Sequence, residues 1–411
     1  MTFKDLKLNK PILKALTEKK YHTPTPIQEY TIPLVLAKKD LIASAQTGTG
    51  KTAAFALPIL QLLFDKQDEG KKGKKIRALI VSPTRELAIQ INDNFNRYSK
   101  FTNLKSAVIF GGASIEPQKE ILKRGVDILI ATPGRLLDLH KQDVINLSYI
   151  ETLVLDEADL MLDMGFIDDV RKIERLCPDT KQTLLFSATM PYKVIDLAKT
   201  ILKDPEKIEV APTSSTTKTV NQLLYYTPKP QKIELCLHLL RTTITGHILI
   251  FRRTKYGVDK LEKSLTNNGY KVAALHGDKT QSERQAAMND FKRGNANILI
   301  ATDVASRGID IKELDAVINF DMPNVPETYV HRIGRTGRAG HTGTAYSLCS
   351  ADEKTYVQTI QKTINKIIPI EEEHPFPLHP NAKPVVHRKK GSKYKKNRKS
   401  EGSKKKKKRW Y

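Results

Sequence analysis

Ten short apolar runs, bounded by turn residues and separated by helix-length stretches, constrain the fold more than any other feature of this sequence. The first five are Leu41 to Ser44, Ala78 to Ser82, Ile128 to Thr132, Leu153 to Asp156 and Leu184 to Ser187. The second five are His247 to Phe251, Val272 to Leu275, Ile298 to Thr302, Ala316 to Phe320 and Thr344 to Leu348. Runs rich in Ile, Leu and Val, without a polar face, predict strands buried on both sides, as in mostly parallel sheets flanked by helices. Two α/β domains in tandem are the economical arrangement. The stretch from Ala211 to Thr219 is small, polar and without hydrophobic period, so it reads as a linker between domains at 1–210 and 220–370.

Residues 371–411 turn first to acids and prolines and then to lysine, which predicts a disordered basic tail. Charge points to the partner. The chain carries a formal +24, and the segment from Lys383 to Tyr411 contributes more than half of it, with fifteen Lys/Arg against the single acid Glu401. Such an excess suits a polyphosphate. Cys177, Cys236 and Cys349 lie far apart and lack zinc-type spacing, so neither a disulfide framework nor a structural metal is expected. No secretory signal and no membrane-spanning apolar run is evident, which predicts a soluble cytoplasmic protein with no membrane partner.

The first run leads into Ala45-Gln-Thr-Gly-Thr-Gly-Lys-Thr52. Backbone N–H groups can wrap phosphates only where side chains are small; a lysine then reaches the β/γ oxygens and a hydroxyl holds magnesium. Gly48, Gly50, Lys51 and Thr52 supply these parts, with Ala45 standing where a first glycine is usual. The run ending at Leu155 delivers Asp156-Glu157-Ala158-Asp159. Adjacent carboxylates at a strand end also suit a plain acidic turn, but beside a phosphate loop they assign Asp156 to Mg²⁺ and Glu157 to positioning and deprotonating water. Upstream, Tyr21 and Gln28 offer a ring to stack on adenine and an amide to pair with its N6/N7 edge.

These motifs, together with Pro83-Thr-Arg-Glu-Leu-Ala88, Gly111-Gly112, Thr132-Pro-Gly-Arg135, Ser187-Ala-Thr189, Phe251-Arg-Arg-Thr254, Gln281-Ser-Glu-Arg284, Ala301-Thr-Asp-Val-Ala-Ser-Arg-Gly-Ile-Asp310 and His331-Arg-Ile-Gly-Arg-Thr-Gly-Arg338, follow in the order of the DEAD-box RNA helicases, which the chain resembles. Leu162-Asp-Met-Gly-Phe166 and Pro323-Asn-Val-Pro-Glu327 look most like the bacterial RhlE-type branch. Leu160 and Ser306 depart from the usual pattern at positions that carry no chemistry.

The resemblance implies two RecA-like domains and an ATP-dependent RNA helicase that unwinds short RNA duplexes locally or remodels RNA–protein complexes. It implies nucleotide contacts at Tyr21, Thr23, Gln28, Ala45, Gln46, Thr47, Gly48, Thr49, Gly50, Lys51 and Thr52, with Asp303 meeting the ribose. Arg335 and Arg338 are the implied fingers on the γ-phosphate, although arginines on a glycine-rich turn also suit RNA phosphates. Ser187 and Thr189 are implied to hydrogen-bond the acidic motif at Asp159 and couple ATP state to domain closure. RNA contacts are implied at Thr84, Arg85, Gly112, Thr132, Arg135, Arg252, Thr302 and Arg307. Small, hydroxyl-bearing and arginine positions fit sugar and phosphate rather than base edges, so binding is expected to ignore sequence. A DNA translocase and an ATP-gated RNA clamp are the rival readings. Ribosomal RNA assembly intermediates, RNA-decay complexes and cold-stabilised RNA would all suit such an engine.

Overall fold

The computed structural model describes residues 1–45, 48–66, 75–210, 220–306, 314–337, 342–379 and 382. Each of the ten apolar runs forms a strand within one or two residues of its expected limits. In the first domain these are β1 (Leu41–Ser44), β2 (Ala78–Val81), β4 (Ile128–Ala131), β5 (Thr152–Leu155) and β6 (Gln182–Ser187). Two further strands flank them, β3 (Ser106–Ile109) and β7 (Glu206–Glu209), giving a seven-stranded parallel sheet in the order β3-β4-β2-β5-β6-β1-β7. Alternate residues enter opposite cores. Ile80, Ile130, Val154 and Leu184 join one side with Phe55, Phe95 and Phe186, while Leu79, Leu129, Leu153 and Leu185 join the other. The Phe55 and Phe186 rings meet at 5.2 Å between centroids. Burying a side chain of this size contributes about 1.5–3 kcal/mol.

The second domain repeats the plan with β8 (Val220–Tyr226), β9 (Ile248–Arg252), β10 (Val272–Leu275), β11 (Ile298–Thr302), β12 (Ala316–Asn319) and β13 (Gly343–Cys349). They form a parallel sheet in the order β10-β11-β9-β12-β13-β8. The linker at 211–219 lies outside the described residues.

The boundary near residue 370 needs correction. Residues 371–379 are not a free tail: the chain from Pro369 returns along β8, with Leu224 N–H donating to Pro369 O, Glu371 N–H to Leu224 O and Leu378 N–H to Tyr226 O. Phe376 packs on the second domain's core, and the His374 ring meets Tyr225 edge-on at 5.6 Å. An otherwise open sheet edge is thereby covered, which explains why an acidic, proline-rich stretch is ordered. Residues 383–411 lie outside the described residues.

Candidate nucleotide and RNA sites

Apart from Tyr21, Thr23 and Gln28, which precede β1, the implied functional groups of the first domain follow the carboxyl ends of its strands, and strand order sorts them. The phosphate loop follows β1, Asp156 follows β5 and Ser187 ends β6, all in one half of the sheet. Thr84 follows β2, Gly112 follows β3 and Thr132 follows β4, in the other half.

The phosphate loop runs straight into the helix Lys51–Asp65, with Gly50 as its N-cap at φ +96°. That left-handed conformation favours glycine, and a Cβ there would lie 2.4 Å from Gln28 Nε2. The close approach is functional packing: Gln28 Nε2 donates to Gly50 O at 3.2 Å and Gln28 Oε1 accepts from Thr25 N–H at 3.0 Å. The amide thus braces the loop, and it retains one N–H and one lone pair for a base edge. Ala45 is buried, joins the core, and its N–H donates to Ser187 O. The methyl in place of the usual glycine therefore packs inward, away from the phosphates. Gln46 and Thr47 lie outside the described residues.

Lys51 is buried and its Nζ lies 2.8 Å from Glu157 Oε1. Burial alone would lower its pKa, but Glu157, Asp156 and Asp159 together outweigh burial and hold it above its ordinary value. Asp156 shows the opposite balance. Burial pushes its carboxyl up to about 7 against the pull of Lys51, with Glu157 adding repulsion, and its Oδ1 is buried without a hydrogen-bond partner. Glu157 itself adopts φ +57°, ψ +55°, a backbone region that costs a non-glycine residue energy and clusters at functional sites. The next helix, Ala158–Asp163, places Asp159 where its Oδ2 accepts from both Thr189 N–H (2.9 Å) and Thr189 Oγ1 (2.8 Å). Ser187 Oγ accepts from Asp159 N–H and donates to Thr189 O. The three coupling residues are one hydrogen-bonded unit.

A cavity of about 980 Å³ is lined by Tyr21, Thr23, Gln28, Gly48, Gly50, Lys51, Thr52, Asp156 and Glu157, and from the second domain by Arg335. Thr49 is half-buried in the loop between the two glycines. Tyr98, buried at the end of the helix Arg85–Tyr98, also lines the cavity together with Tyr21. It is a site residue without a motif to announce it. Arg338 lies outside the described residues.

On the RNA side, Thr84 caps the helix Arg85–Tyr98 by accepting from Leu87 N–H at 3.3 Å. Gly112 sits at φ +75°, where a Cβ would fall 2.2 Å from Arg85 Nη2. Arg135 donates Nη2 to Ala113 O at 3.1 Å and its Nε lies 3.7 Å from Asp138 Oδ2, while its buried Nη1 has no hydrogen-bond partner. Thr302 ends β11, half-buried.

Two expectations for the second domain need correction. Arg252 is turned into the domain, its guanidinium 4.1 Å from the Phe320 ring and its Nε 3.3 Å from Asp321 Oδ2, because the apolar ring and the acid together replace its hydration. Asp303 does not face the cavity; both its oxygens accept from Arg332, at 2.6 and 2.8 Å. Arg307 lies outside the described residues. Between the domains, Arg284 Nε donates to Glu86 Oε1 at 2.8 Å and Arg85 Nη1 to Gln281 Oε1 at 3.2 Å.

Residues 25–198 match the DEAD/DEAH box helicase family, and residues 231–340 match the helicase conserved C-terminal domain. The chain is 44% identical over 371 residues to the DEAD-box ATP-dependent RNA helicase RhpA of Helicobacter pylori strain B128, covering 90% of this chain and 74% of that protein. It is 43% identical to the ATP-dependent RNA helicase CshA of Limosilactobacillus reuteri (90% and 74% covered) and 42% identical to the ATP-dependent RNA helicase RhlB of Shewanella sediminis (90% and 85% covered). Similarity spread evenly over three differently named proteins assigns the family rather than the RhlE-type branch. Among solved structures, S. cerevisiae Dbp5 bound to RNA and ADP BeF3 superimposes with a TM-score of 0.80 at 32% identity, covering 90% of this chain and 95% of that one. A DEAD box protein from Methanococcus jannaschii reaches only 0.51 at 40% identity over a similar span, 90% and 99%. Identity and superposition rank oppositely, so the placement of the two domains is nearer to that of the RNA-bound Dbp5.

Proposed function

This chain belongs to the DEAD-box family of ATP-dependent RNA helicases, RNA-dependent ATPases that unwind or remodel RNA, and from that premise we propose how its own residues divide the work. The observation that carries the assignment is one cavity lined by Lys51, Asp156 and Glu157 of the first domain and by Arg335 of the second. Tyr21 and Gln28 take the adenine, the loop from Ala45 to Thr52 takes the phosphates, and Arg335 meets the γ-phosphate across the cleft. Lys51 is held by Glu157. Phosphate entry gives Lys51 a new partner and frees the Glu157 carboxylate to orient water and take its proton. The arginine counters charge that develops on the transferred group.

Mg²⁺ fits the residues present. Asp156 offers a buried carboxylate oxygen with no other partner, and Thr52 offers a hydroxyl on the first turn of the adjoining helix. When bound, the ion neutralises charge on the β- and γ-phosphate oxygens.

RNA lies over the opposite half of the strand ends, along Thr84, Arg85, Gly112, Thr132 and Arg135, and reaches Thr302 and Arg307 in the second domain. Arg135 is the best supported phosphate ligand because its Nη1 has no hydrogen-bond partner within the chain. The lysine-rich segment 383–411 adds a sequence-independent electrostatic grip. No helix among the described residues is long and apolar enough to cross a membrane, and a cytoplasmic location is the reading that an RNA substrate supports.

The direct test is ATP hydrolysis with no nucleic acid, with single-stranded RNA and with matched DNA, for wild type and Glu157→Gln. Stimulation by RNA alone, abolished by the substitution, is the expected result. Equal stimulation by DNA, or turnover that survives the substitution, overturns the assignment of substrate or of base.

A further inference from the structure

Arg332 is 2% exposed, yet it stands three residues before Arg335, on the last turn of the helix Pro326–Ile333. A buried guanidinium is costly unless its donors are used, and here four of the five are. Nε and Nη2 grip the two oxygens of Asp303, and Nη1 donates to Asn319 Oδ1 at 3.2 Å and to Asp321 O at 2.7 Å. The planar group also lies 4.9 Å from the Phe251 ring centroid. So occupied, Arg332 cannot act as a phosphate ligand. Its backbone carbonyl, however, accepts from Arg335 N–H at 3.1 Å.

Asp303 is the other end of the link. It follows Thr302 directly and opens the turn Asp303–Ser306 that leads to Arg307. One bidentate contact therefore joins the loop expected on RNA to the segment that carries the γ-phosphate arginine. Two more anchors hold that segment: Tyr329 Oη donates to Gln222 Oε1 at 2.9 Å, and Thr336 Oγ1 donates to Leu314 O. Arg332 is also tied to Asn319 and Asp321, and among these contacts of the described residues the one with Asp303 reaches the RNA-side loop.

We propose that Asp303 and Arg332 form a positioning pair that sets Arg335 relative to the RNA-contacting loop, so that Asp303 serves turnover through Arg332 and not as a ligand of the ribose. The inference rests on the reading of Arg335 as the γ-phosphate arginine. A ribose ligand and a positioning residue fail differently: loss of the first weakens ATP binding, whereas loss of the second leaves ATP bound with its arginine misplaced. A misplacement near 1 Å is enough to cost about a hundredfold in rate.

The test is steady-state ATP hydrolysis at saturating RNA with ATP varied, on the full chain. The variants are Asp303→Asn, Arg332→Lys, Arg332→Gln, the double variant Asp303→Asn/Arg332→Gln, and Arg335→Ala. The expected result is a kcat lowered about 10- to 100-fold in each single variant of the pair, with KM for ATP within about twofold and the smallest loss for Arg332→Lys. The double variant should be no slower than the slower single, since residues acting as one unit are not additive. If a single variant fails to fold, the double, which strands no buried charge, carries the test: a tenfold loss of kcat at unchanged KM supports the pair, and wild-type kcat overturns it. A raised KM for ATP at preserved kcat in Asp303→Asn, or losses that multiply in the double variant, also overturns it. Wild-type turnover in Arg335→Ala would instead sink the underlying assignment of that arginine.

Discussion

Arg284 of the second domain donates Nε to Glu86 Oε1 of the first at 2.8 Å, and both side chains are less than a tenth exposed. Neither residue touches the nucleotide cavity. Glu86 sits in the first turn of the helix Arg85–Tyr98, which begins at Arg85, the residue proposed to meet RNA, and ends at Tyr98, which lines the nucleotide cavity with Tyr21. A single helix thus joins the proposed RNA side, the domain contact and the cavity.

Breaking a buried ion pair from one side leaves a charge stranded, at a cost of about 3–5 kcal/mol in the state that buries it. When the domains part, both groups regain water, so the cost falls on the closed arrangement alone. Glu86→Gln should therefore lower ATPase at subsaturating RNA by at least about tenfold while leaving the thermal unfolding of the free protein within a degree or two. Titrating RNA against hydrolysis rate checks this. A full rate at wild-type RNA concentrations would show that the contact does not stabilise the working state.

Asp156 offers a pH test whose sign follows from burial. Its carboxyl is raised from 3.8 to about 7, so between these values the folded chain holds a proton that the unfolded chain has released. Stability from this group falls as pH rises across that window, and the whole penalty is present above about 7. Asp156→Asn should melt higher than wild type at pH 8, at about 2–4 °C per kcal/mol recovered. The gap should close near pH 4, and Mg²⁺-dependent turnover should be lost. Differential scanning at the two pH values reads both effects; equal melting at pH 8 would mean the carboxylate is not penalised.

Gly50 makes a conformational prediction. An alanine there meets two obstacles, φ +96° and Gln28 Nε2 at 2.4 Å. Left-handed backbone costs an L-residue about 1–2 kcal/mol, which no partner change removes. Gly50→Ala should weaken nucleotide binding by at least about tenfold, and adding Gln28→Ala should restore only the steric part. Nucleotide titration by fluorescence measures this; full rescue by the second substitution would assign the whole effect to crowding.

What the sequence disclosed and what it hid have physical causes. Interior strands such as β2 and β4 are buried on both faces and read as unbroken apolar runs. The three strands not foreseen, β3, β7 and β8, all lie at sheet edges, where half-exposure dilutes the signal; β7 reads Glu-Lys-Ile-Glu, with Ile208 alone buried. The phosphate loop and the acidic motif were legible because their chemistry demands fixed residue types at fixed spacing. The contact of Asp303 with Arg332 was hidden for the opposite reason. A carboxylate's partner is set by tertiary geometry, and nothing in the spacing from Asp303 to Arg332 announces a bidentate contact. Tyr98 carries no motif and acquires meaning only where it lines the cavity with Tyr21.

The covered edge of β8 separates two functions that one tail conceals. Residues 371–379 contribute backbone hydrogen bonds to β8 and pack Phe376 on the core, whereas 383–411 contribute charge. Truncation after residue 382 should leave melting unchanged but raise KM for RNA, and it should flatten the dependence of that KM on salt as fewer counterions are released. Truncation after residue 370 should in addition lower the melting temperature of the second domain, since removing a packed phenyl ring alone costs up to about 3–5 kcal/mol. Phe376→Ala in the full chain isolates the packing effect and should destabilise without altering the salt slope. If both truncations melted alike, the strap would be an ornament on the sheet; if the shorter truncation left the salt slope intact, the lysines would have no hold on RNA.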